Sequence, residues 1–395
     1  MPEEWTTLSG QTGSVPSVTE IVAAASAALG RPLTEPAELP GGGDWSVVLR
    51  CRDSTGGTVI VKTYPPTAEG TSSFAAEAAG LELAGGSELA PEFLAADATR
   101  QVVVMADLGE GRSLADALLA DPPDSATPAR SVLLDWAAAC GQLAVAARSR
   151  QRDFDHLTLG YLAGRPDQRH VTGLRDRVLG AASQAAKIGV SAPAGLEAEL
   201  AQVAAAVESD RFAVFSPGDI CPDNNVLTPA GIRFIDFEEA GFHSVFLNAA
   251  YIRMPFSTCW CVFRFPAELA DAAEDAYRAQ ACVVWPDLAE DAVWRPGVQL
   301  AVAAWTLSST SWLLRRAMAA DVPMNPDAAS PHTRQLMRYR WHALAAELES
   351  AGESVAGTLS GARLPAVAEL MRSLLAATTE WHADELPLYP AFRSR

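Results

Sequence analysis

Two aspartates and an asparagine, Asp219, Asn224 and Asp236, lie in one stretch running from Val214 to Glu239. An apolar lead, Val214-Phe215, delivers the chain into a turn, Ser216-Pro217-Gly218-Asp219, and Asn224 follows five positions after Asp219. Thr228-Pro229-Ala230-Gly231 then has the residue types of a hairpin turn, and the apolar Phe234-Ile235 run after it ends on Asp236. Two acids and an amide are thereby brought to one end of a small sheet. Such a set suits a magnesium ion and a phosphate chain: one carboxylate orients or deprotonates a hydroxyl, while the amide oxygen and the second carboxylate hold the hard cation. Gly, Asp, Asn and Pro are also ordinary turn residues, so Gly218-Asp219 alone predicts only a turn; the paired spacing and the upstream elements carry the chemistry.

Upstream, Gly41-Gly42-Gly43-Asp44-Trp45-Ser46 precedes an alternating strand at 47–51, and Asp53-Ser54-Thr55-Gly56-Gly57 turns it into a second strand, Thr58-Val59-Ile60-Val61-Lys62. This predicts a β-hairpin with a flexible glycine tip before it. Ser72 and Ser73 are expected to open a helix over 74–83 in which Glu77 lies one turn after Ser73. Two roles stay open for Glu77: assisting that cap, or facing Lys62. Strands are expected at 92–97 and 101–105, the latter running into Ala106-Asp107-Leu108-Gly109 and a capped helix at 114–119, a pattern suited to a hinge between lobes.

The Asp-x-x-x-x-Asn spacing from Asp219 to Asn224, followed by Asp236-Phe237-Glu238, resembles the catalytic loop and metal-binding Asp-Phe-Gly of kinases. The segment is similar to that of the aminoglycoside phosphotransferases and related small-molecule kinases, whose pattern is His-Gly-Asp-x-x-x-x-Asn followed by Ile-Asp-Phe/Trp-Glu. One position departs: Pro217 stands where that family usually has His. The resemblance runs best over residues 35–260 and implies an α+β, bilobal protein-kinase-like fold. A helical extension (1–30) would precede a small β-rich nucleotide-binding N-lobe (31–108) and a larger, mainly helical C-lobe (109–395). It implies Asp219 as the catalytic carboxylate and Asn224 and Asp236 as Mg²⁺ ligands. For the nucleotide it implies Gly42, Gly43 and Ser46 over the phosphates, Lys62 on the α/β phosphates, and Glu77 pairing with Lys62. Met105 would gate the adenine pocket, with the backbone of Asp107 and Leu108 reading the adenine edge; simple core packing of Met105 is compatible with that. ATP would be the phosphoryl donor, with GTP as an alternative.

The remainder of the chain is mostly helical by pattern. Helices are expected at 17–29, 129–148, 174–186, 195–207, 266–282, 296–318, 333–349 and 365–377, with a loop at 164–168. An insertion over the acceptor site is one reading of the 174–186 and 195–207 pair. The segment 241–260 is aromatic; Arg253 in it could steady loops or a carboxylate, and His243 reads as structural. The terminal Trp381-His382 and Pro387-Leu388-Tyr389-Pro390 are expected to dock on the helical lobe without chemistry.

A chain of 395 residues, 49% hydrophobic, can bury a sizeable core in two or three lobes. Its formal net charge of −18 argues against a general nucleic-acid or anionic-membrane binder and favours cationic partners. Cysteines at 51, 140, 221, 259, 261 and 282 form no Cys-x-x-Cys pair and read as reduced thiols of a cytoplasmic protein. Cys259-Trp260-Cys261 is too close for an ordinary disulfide and too isolated for a zinc site. Neither a secretory signal nor a membrane span is expected. Two function classes remain at this level. One is a phosphotransferase acting on a small, cationic hydroxyl compound (an aminoglycoside or other antibiotic, an amino sugar, an amino-alcohol). The other is an inactive kinase-like fold that binds nucleotide or a regulatory partner. Glu238 and Glu239, with Asp219 and Asp223, are the carboxylates expected on the acceptor side, where solvation and substrate contact are equally open for the two glutamates.

Overall fold

The computed structural model describes residues 4–6, 12–14, 16–39, 46–120, 126–163, 173–254, 256, 259–326, 330–352 and 362–393. The glycine tip, with Gly42 and Gly43, and the 164–168 loop lie outside them. A short ribbon of β1 (Glu4–Thr6) and β2 (Thr12–Ser14) precedes α1 (Val18–Leu29). Ser17 and Glu20 form a reciprocal capping box at the start of α1, and Gly30 closes the helix in the left-handed conformation, φ 72°.

Five strands follow: β3 (Leu33–Glu38), β4 (Val47–Asp53), β5 (Thr58–Thr63), then, after helix α2 (Ala68–Ala84), β6 (Phe93–Asp97) and β7 (Val102–Ala106). They form one antiparallel sheet in the order β3-β4-β5-β7-β6. The two-residue strand period decides what each face carries. Val47, Leu49, Cys51, Val59, Val61, Val102 and Val104 are buried together with Ile21, Ala24 and Ala25 of α1. Lys62 is one residue out of phase with Val61, so it takes the opposite face, where its cross-strand partners are Val48 and Val103 and where Ile60 pairs with Met105. The β4–β5 turn is held by Asp53, whose Oδ1 accepts from the backbone N–H of Thr55 and Gly57.

Helix α2 begins earlier than its serines suggest. Thr67 is the N-cap, its Oγ1 accepting from Gly70 N at 3.1 Å, and Ser72 and Ser73 are interior and buried. The helix is enclosed on nearly all sides, and small side chains are what that enclosure requires: a Cβ on Gly80 would come within 2.8 Å of the Ala240 side chain. Glu77 therefore has no part in a cap.

The second lobe contains α3 (Leu114–Leu118), α4 (Ala126–Ala146), α5 (Gln151–Tyr161), α6 (Leu174–Ala186) and α7 (Leu196–Val207). It continues through β8 (Ala213–Ser216), β9 (Asn225–Thr228), β10 (Gly231–Phe234) and β11 (Gly241–Ser244), and then α8 (Val245–Arg253), α9 (Ala267–Val284), α10 (Asp291–Ala319), α11 (Thr333–Gly352) and α12 (Pro365–Ala377). Helix α5 has no counterpart among the expected elements, because its charge-rich sequence turns only Phe154 and Thr158 fully inward. Helices α6 and α7 pack against α10 and each other as part of the lobe's own core. Arg253 spans Asp271 and Glu274 of α9 and Glu347 of α11, tying helices rather than loops. The C-terminal segment packs Tyr389 onto Phe265, with ring centroids 4.9 Å apart, and Trp381 against Trp341. No helix among the described residues is long and apolar enough to cross a membrane.

Candidate active site

The β8–β9 loop carries Asp219 and Asn224, and β9 and β10 form the hairpin that returns the chain to Asp236. Gly218 makes the loop's first bend at φ +94°, and a Cβ there would sit 2.2 Å from the Glu239 carbonyl oxygen. Only glycine allows that approach, and the approach brings the loop against the 236–239 segment. Ser216 Oγ accepts from Gly218 N at 3.1 Å, beside Pro217, which has no N–H to give. The connector between the lobes is stitched to the same loop: Asn225 Oδ1 accepts from Leu114 N at 3.0 Å and Pro222 O from Ala115 N at 2.8 Å.

Asp219 Oδ1 accepts from Cys221 N at 3.1 Å and from the Tyr251 hydroxyl at 3.4 Å. Burial raises its pKa to about 8, with Cys259, Glu239 and Asp236 adding to the rise against the hydrogen bond from Cys221. Asn224 donates its side-chain Nδ2 to the Asp219 carbonyl at 3.2 Å, which leaves its amide oxygen for another partner. Asp236 adopts a left-handed backbone, φ 67°, an uncommon state that aspartate tolerates better than most residues.

Lys62, on β5, is the centre of an ion-pair group. Its Nζ contacts Asp236 Oδ1 closely, Glu238 Oε2 at 3.0 Å and Glu77 Oε2 at 3.4 Å. Burial opposes its charge, but Asp236, Glu77 and Glu238 more than offset that and hold its pKa well above the ordinary lysine value. Glu77 is wholly buried; its Oε2 also accepts from the Tyr64 hydroxyl at 3.0 Å, and its Oε1 has no partner.

The remaining expected residues separate. Ser46 is buried just ahead of β4, and Met105 is buried at the end of β7. The Asp107 carboxylate is occupied: Arg50 Nε lies 2.7 Å from Oδ2, and Gly109 N donates to Oδ1 at 2.8 Å. It braces the connector, and Leu108 follows it, half-buried, outside any helix or strand. Of the acceptor-side carboxylates, Glu238 is neither solvated nor free, since it pairs with Lys62, and Asp223 Oδ2 accepts from Trp260 Nε1 at 2.7 Å. Glu239 alone of that group is exposed.

Sequence reasoning passed over Tyr64, Tyr251, Cys221 and Trp260 as site neighbours. Aromatic side chains ending in a hydroxyl or indole N–H were the available signal, because such groups need partners once buried. Nor is Cys259-Trp260-Cys261 isolated in space: the fold sets it beside Cys221 and Asp223. All six cysteines are free.

His243, on β11, shares a 2.8 Å hydrogen bond with Asn248 and pairs in register with Val214 of β8. Burial lowers its pKa from 6.5 to about 4, against the effect of that bond. Between those two values the unfolded chain binds a proton that the folded chain does not, so stability falls as the pH is lowered through the interval. The loss should be roughly 2 kcal/mol, one to two units of pKa difference once partial exposure is allowed for. Thermal melts at pH 7 and pH 5 check this, and His243→Gln should flatten the difference between them.

A buried lysine–glutamate pair on an antiparallel sheet, in contact through Lys62 with a second-lobe segment that carries Asp236 beside the loop of Asp219 and Asn224, is the arrangement of a kinase-like phosphotransferase. The model of the phosphotransferase enzyme family APH matches residues 38–294, and the chain belongs to that family. Among solved structures it is similar to a candidate aminoglycoside phosphotransferase from Ralstonia eutropha, at 13% identity and a TM-score of 0.51, over 86% of this chain and 99% of that one. It is also similar to a choline/ethanolamine kinase family protein from Mesorhizobium loti, at 15% identity and a TM-score of 0.47, over 86% and 92%. A macrolide 2′-phosphotransferase from Brachybacterium faecium matches at 16% identity and a TM-score of 0.43, over 78% and 99%. No curated protein sequence matches the chain.

Proposed function

We propose that this enzyme transfers the γ-phosphoryl group of ATP, taken as its magnesium complex, to a hydroxyl of a small cationic molecule. The acceptor class is an aminoglycoside or other antibiotic, an amino sugar or an amino-alcohol metabolite, and the setting is the cytoplasm. The observation that carries the reading is the Lys62 group. One buried ammonium holds Glu77 on one side and Asp236 on the other, so the two lobes meet where a phosphate chain would lie.

Magnesium fits the donor set. The Asn224 amide oxygen and the Asp236 carboxylate are hard oxygen ligands, and Asp219, Asp236, Glu238 and Glu239 crowd more negative charge around the loop than Lys62 offsets. Bound there, the cation would neutralise charge on the β- and γ-phosphates. The chain's own residues do the rest. Lys62 exchanges its contact with Asp236 for phosphate oxygens while Glu77 keeps the ammonium in place. Asp219 accepts the proton of the acceptor hydroxyl as the new O–P bond forms and the bond between the γ-phosphorus and its bridging oxygen breaks, releasing ADP. Tyr251 keeps the Asp219 carboxylate oriented.

The test is a panel of hydroxylated amines and neutral sugars, with ATP and GTP, read by the mass gain of one phosphoryl group on the acceptor. Turnover on a cationic acceptor with ATP supports the reading; phosphorylation of none of them overturns it. Charge supplies a further prediction. With Glu239 exposed beside the loop and a net charge of −18, a cationic acceptor is steered electrostatically. Its kcat/KM should fall several-fold as salt rises to physiological strength, where the Debye length is about 8 Å, whereas a neutral sugar should show almost no change. An anionic best acceptor, with rates that rise on adding salt, would remove the cationic part and leave the kinase assignment.

A further inference from the structure

Directly after Asp219 the loop bears Cys221 and Asp223, and the segment beyond α8 brings Cys259 and Cys261 up to them. One ligand atom each from Cys221, Asp223 and Cys259 lies within 4.8 Å of the other two. The Cys261 sulfur is 3.1 Å from that of Cys259. All three cysteines are buried, at 5%, 2% and 0% exposure. Asp223 is already oriented, since Trp260 Nε1 holds its Oδ2 and leaves Oδ1 on the sulfur side, 3.9 Å from Cys259 Sγ. Metal-binding carboxylates are steadied in this way by a neighbour's N–H.

A second observation points to negative charge in this cluster. Arg340 is 2% exposed, and none of its three guanidinium nitrogens has a hydrogen-bond partner; its electrostatic neighbours are Tyr251, Tyr339 and Cys259. The hydroxyl of Tyr389, also buried, lies by the Phe263 backbone and has Cys261, Cys259 and Cys221 as its electrostatic neighbours. A buried cation and a buried donor beside three neutral thiols are poorly compensated. Beside thiolates they are compensated.

We propose that Cys221, Asp223 and Cys259, with Cys261 as fourth ligand, form a binding site for a thiolate-preferring divalent cation of the zinc class, which clamps the catalytic loop to the 259–261 segment. Three sulfurs and one carboxylate oxygen are the donors of a four-coordinate zinc site and are too soft for magnesium, whose ligands here are Asn224 and Asp236. At Zn–S distances of about 2.3 Å the sulfurs of a tetrahedral site stand a little under 4 Å apart, against 3.1 Å between Cys259 and Cys261 and up to 4.8 Å among Cys221, Asp223 and Cys259 here. On binding, each thiol loses its proton to solvent and no electrons move. The complex then has two net negative charges, one of which the Arg340 guanidinium offsets. The clamp bears on the catalytic loop through Tyr251, whose hydroxyl contacts both the Cys221 sulfur, at 3.0 Å, and Asp219. It would supply bracing at a loop where Pro217 can donate nothing. The inference stands apart from the phosphotransfer reading, because it needs only the geometry of the four ligands.

Cobalt(II) is the direct probe. The full chain, reduced and stripped with a chelator, should take up about one equivalent with thiolate-to-cobalt charge-transfer absorption and tetrahedral d–d bands, which zinc then abolishes. Cys259→Ser should weaken binding and lower the charge-transfer intensity by about one thiolate in three, Asp223→Asn should weaken binding with that intensity kept, and Trp260→Phe should weaken it by about 10-fold with all four ligands in place. Cys282→Ser, on α9, should change nothing. Trp260→Phe and Asp223→Asn keep the test informative if the cysteine variant does not fold. Absence of tight cobalt binding by the reduced chain, bands and affinity unchanged in Cys259→Ser, or a mass showing these cysteines disulfide-bonded in the protein as purified would each overturn the proposal.

Discussion

Asp219→Asn lowers kcat by about 10³-fold while leaving magnesium-nucleotide affinity nearly unchanged, if Asp219 is the group that receives the acceptor's proton. The amide keeps the shape of the carboxylate and an oxygen that can still accept from Cys221 N and Tyr251, so the loop should not move. What disappears is a base strengthened by its surroundings, because burial, with Cys259, Glu239 and Asp236 nearby, raises its pKa to about 8. A carboxyl that holds its proton more firmly than an ordinary aspartate also sets a sign for the pH dependence. In the wild-type enzyme kcat/KM should fall as the pH drops from about 8, magnesium saturation should move that limb lower, and Asp219→Asn should lack it. Asp236→Asn is the contrasting variant and should weaken metal-dependent nucleotide binding itself. Single-turnover kinetics with a verified acceptor, alongside nucleotide titration, separates the two, and a wild-type rate in Asp219→Asn would end this assignment.

Lys62→Met should cost about 10²- to 10³-fold in kcat/KM, because a charge-assisted contact to the phosphates is lost at a buried position. It should also cost stability, on the order of 3 kcal/mol, by leaving Glu77 buried without its cation. The Tyr64 hydroxyl remains as one partner, and protonation of Glu77 relieves the rest. The double variant Lys62→Met/Glu77→Gln should recover much of the melting temperature and none of the rate. Recovery of both would mean that Lys62 serves only to satisfy Glu77, and that its place opposite Asp236 has no catalytic consequence.

Much of the architecture was legible because it rests on local rules. The β4–β5 hairpin follows from alternation on either side of Asp53-Ser54-Thr55-Gly56-Gly57, and α1, α6, α11 and α12 from apolar spacing, whereas α10 begins at Asp291, ahead of the expected start at Pro296, which lies inside the helix. Helix α2 was misread at its start for a physical reason: Ser72 and Ser73 are typical cap residues, but here their small size is what the enclosed helix uses. Helix α5 went unseen because its periodicity is thin and its burial comes from partners elsewhere, Phe215 and Phe242 against Phe154.

By itself the sequence, through its spacing and its resemblance to the phosphotransferases, singled out the five residues of the proposed chemistry, Lys62, Glu77, Asp219, Asn224 and Asp236. Which groups surround them was decided only by tertiary structure. Glu238 joins the Lys62 group across the lobes, Tyr251 reaches Asp219 from α8, and Trp260 donates to Asp223. Cys221 meets Cys259 after the chain has passed through a hairpin, a strand and a helix. Local spacing constrains residues within a turn or a strand. Contacts between distant segments depend on how helices and strands pack, and in the sequence their tyrosines, tryptophans and cysteines look the same as any other residues of a core.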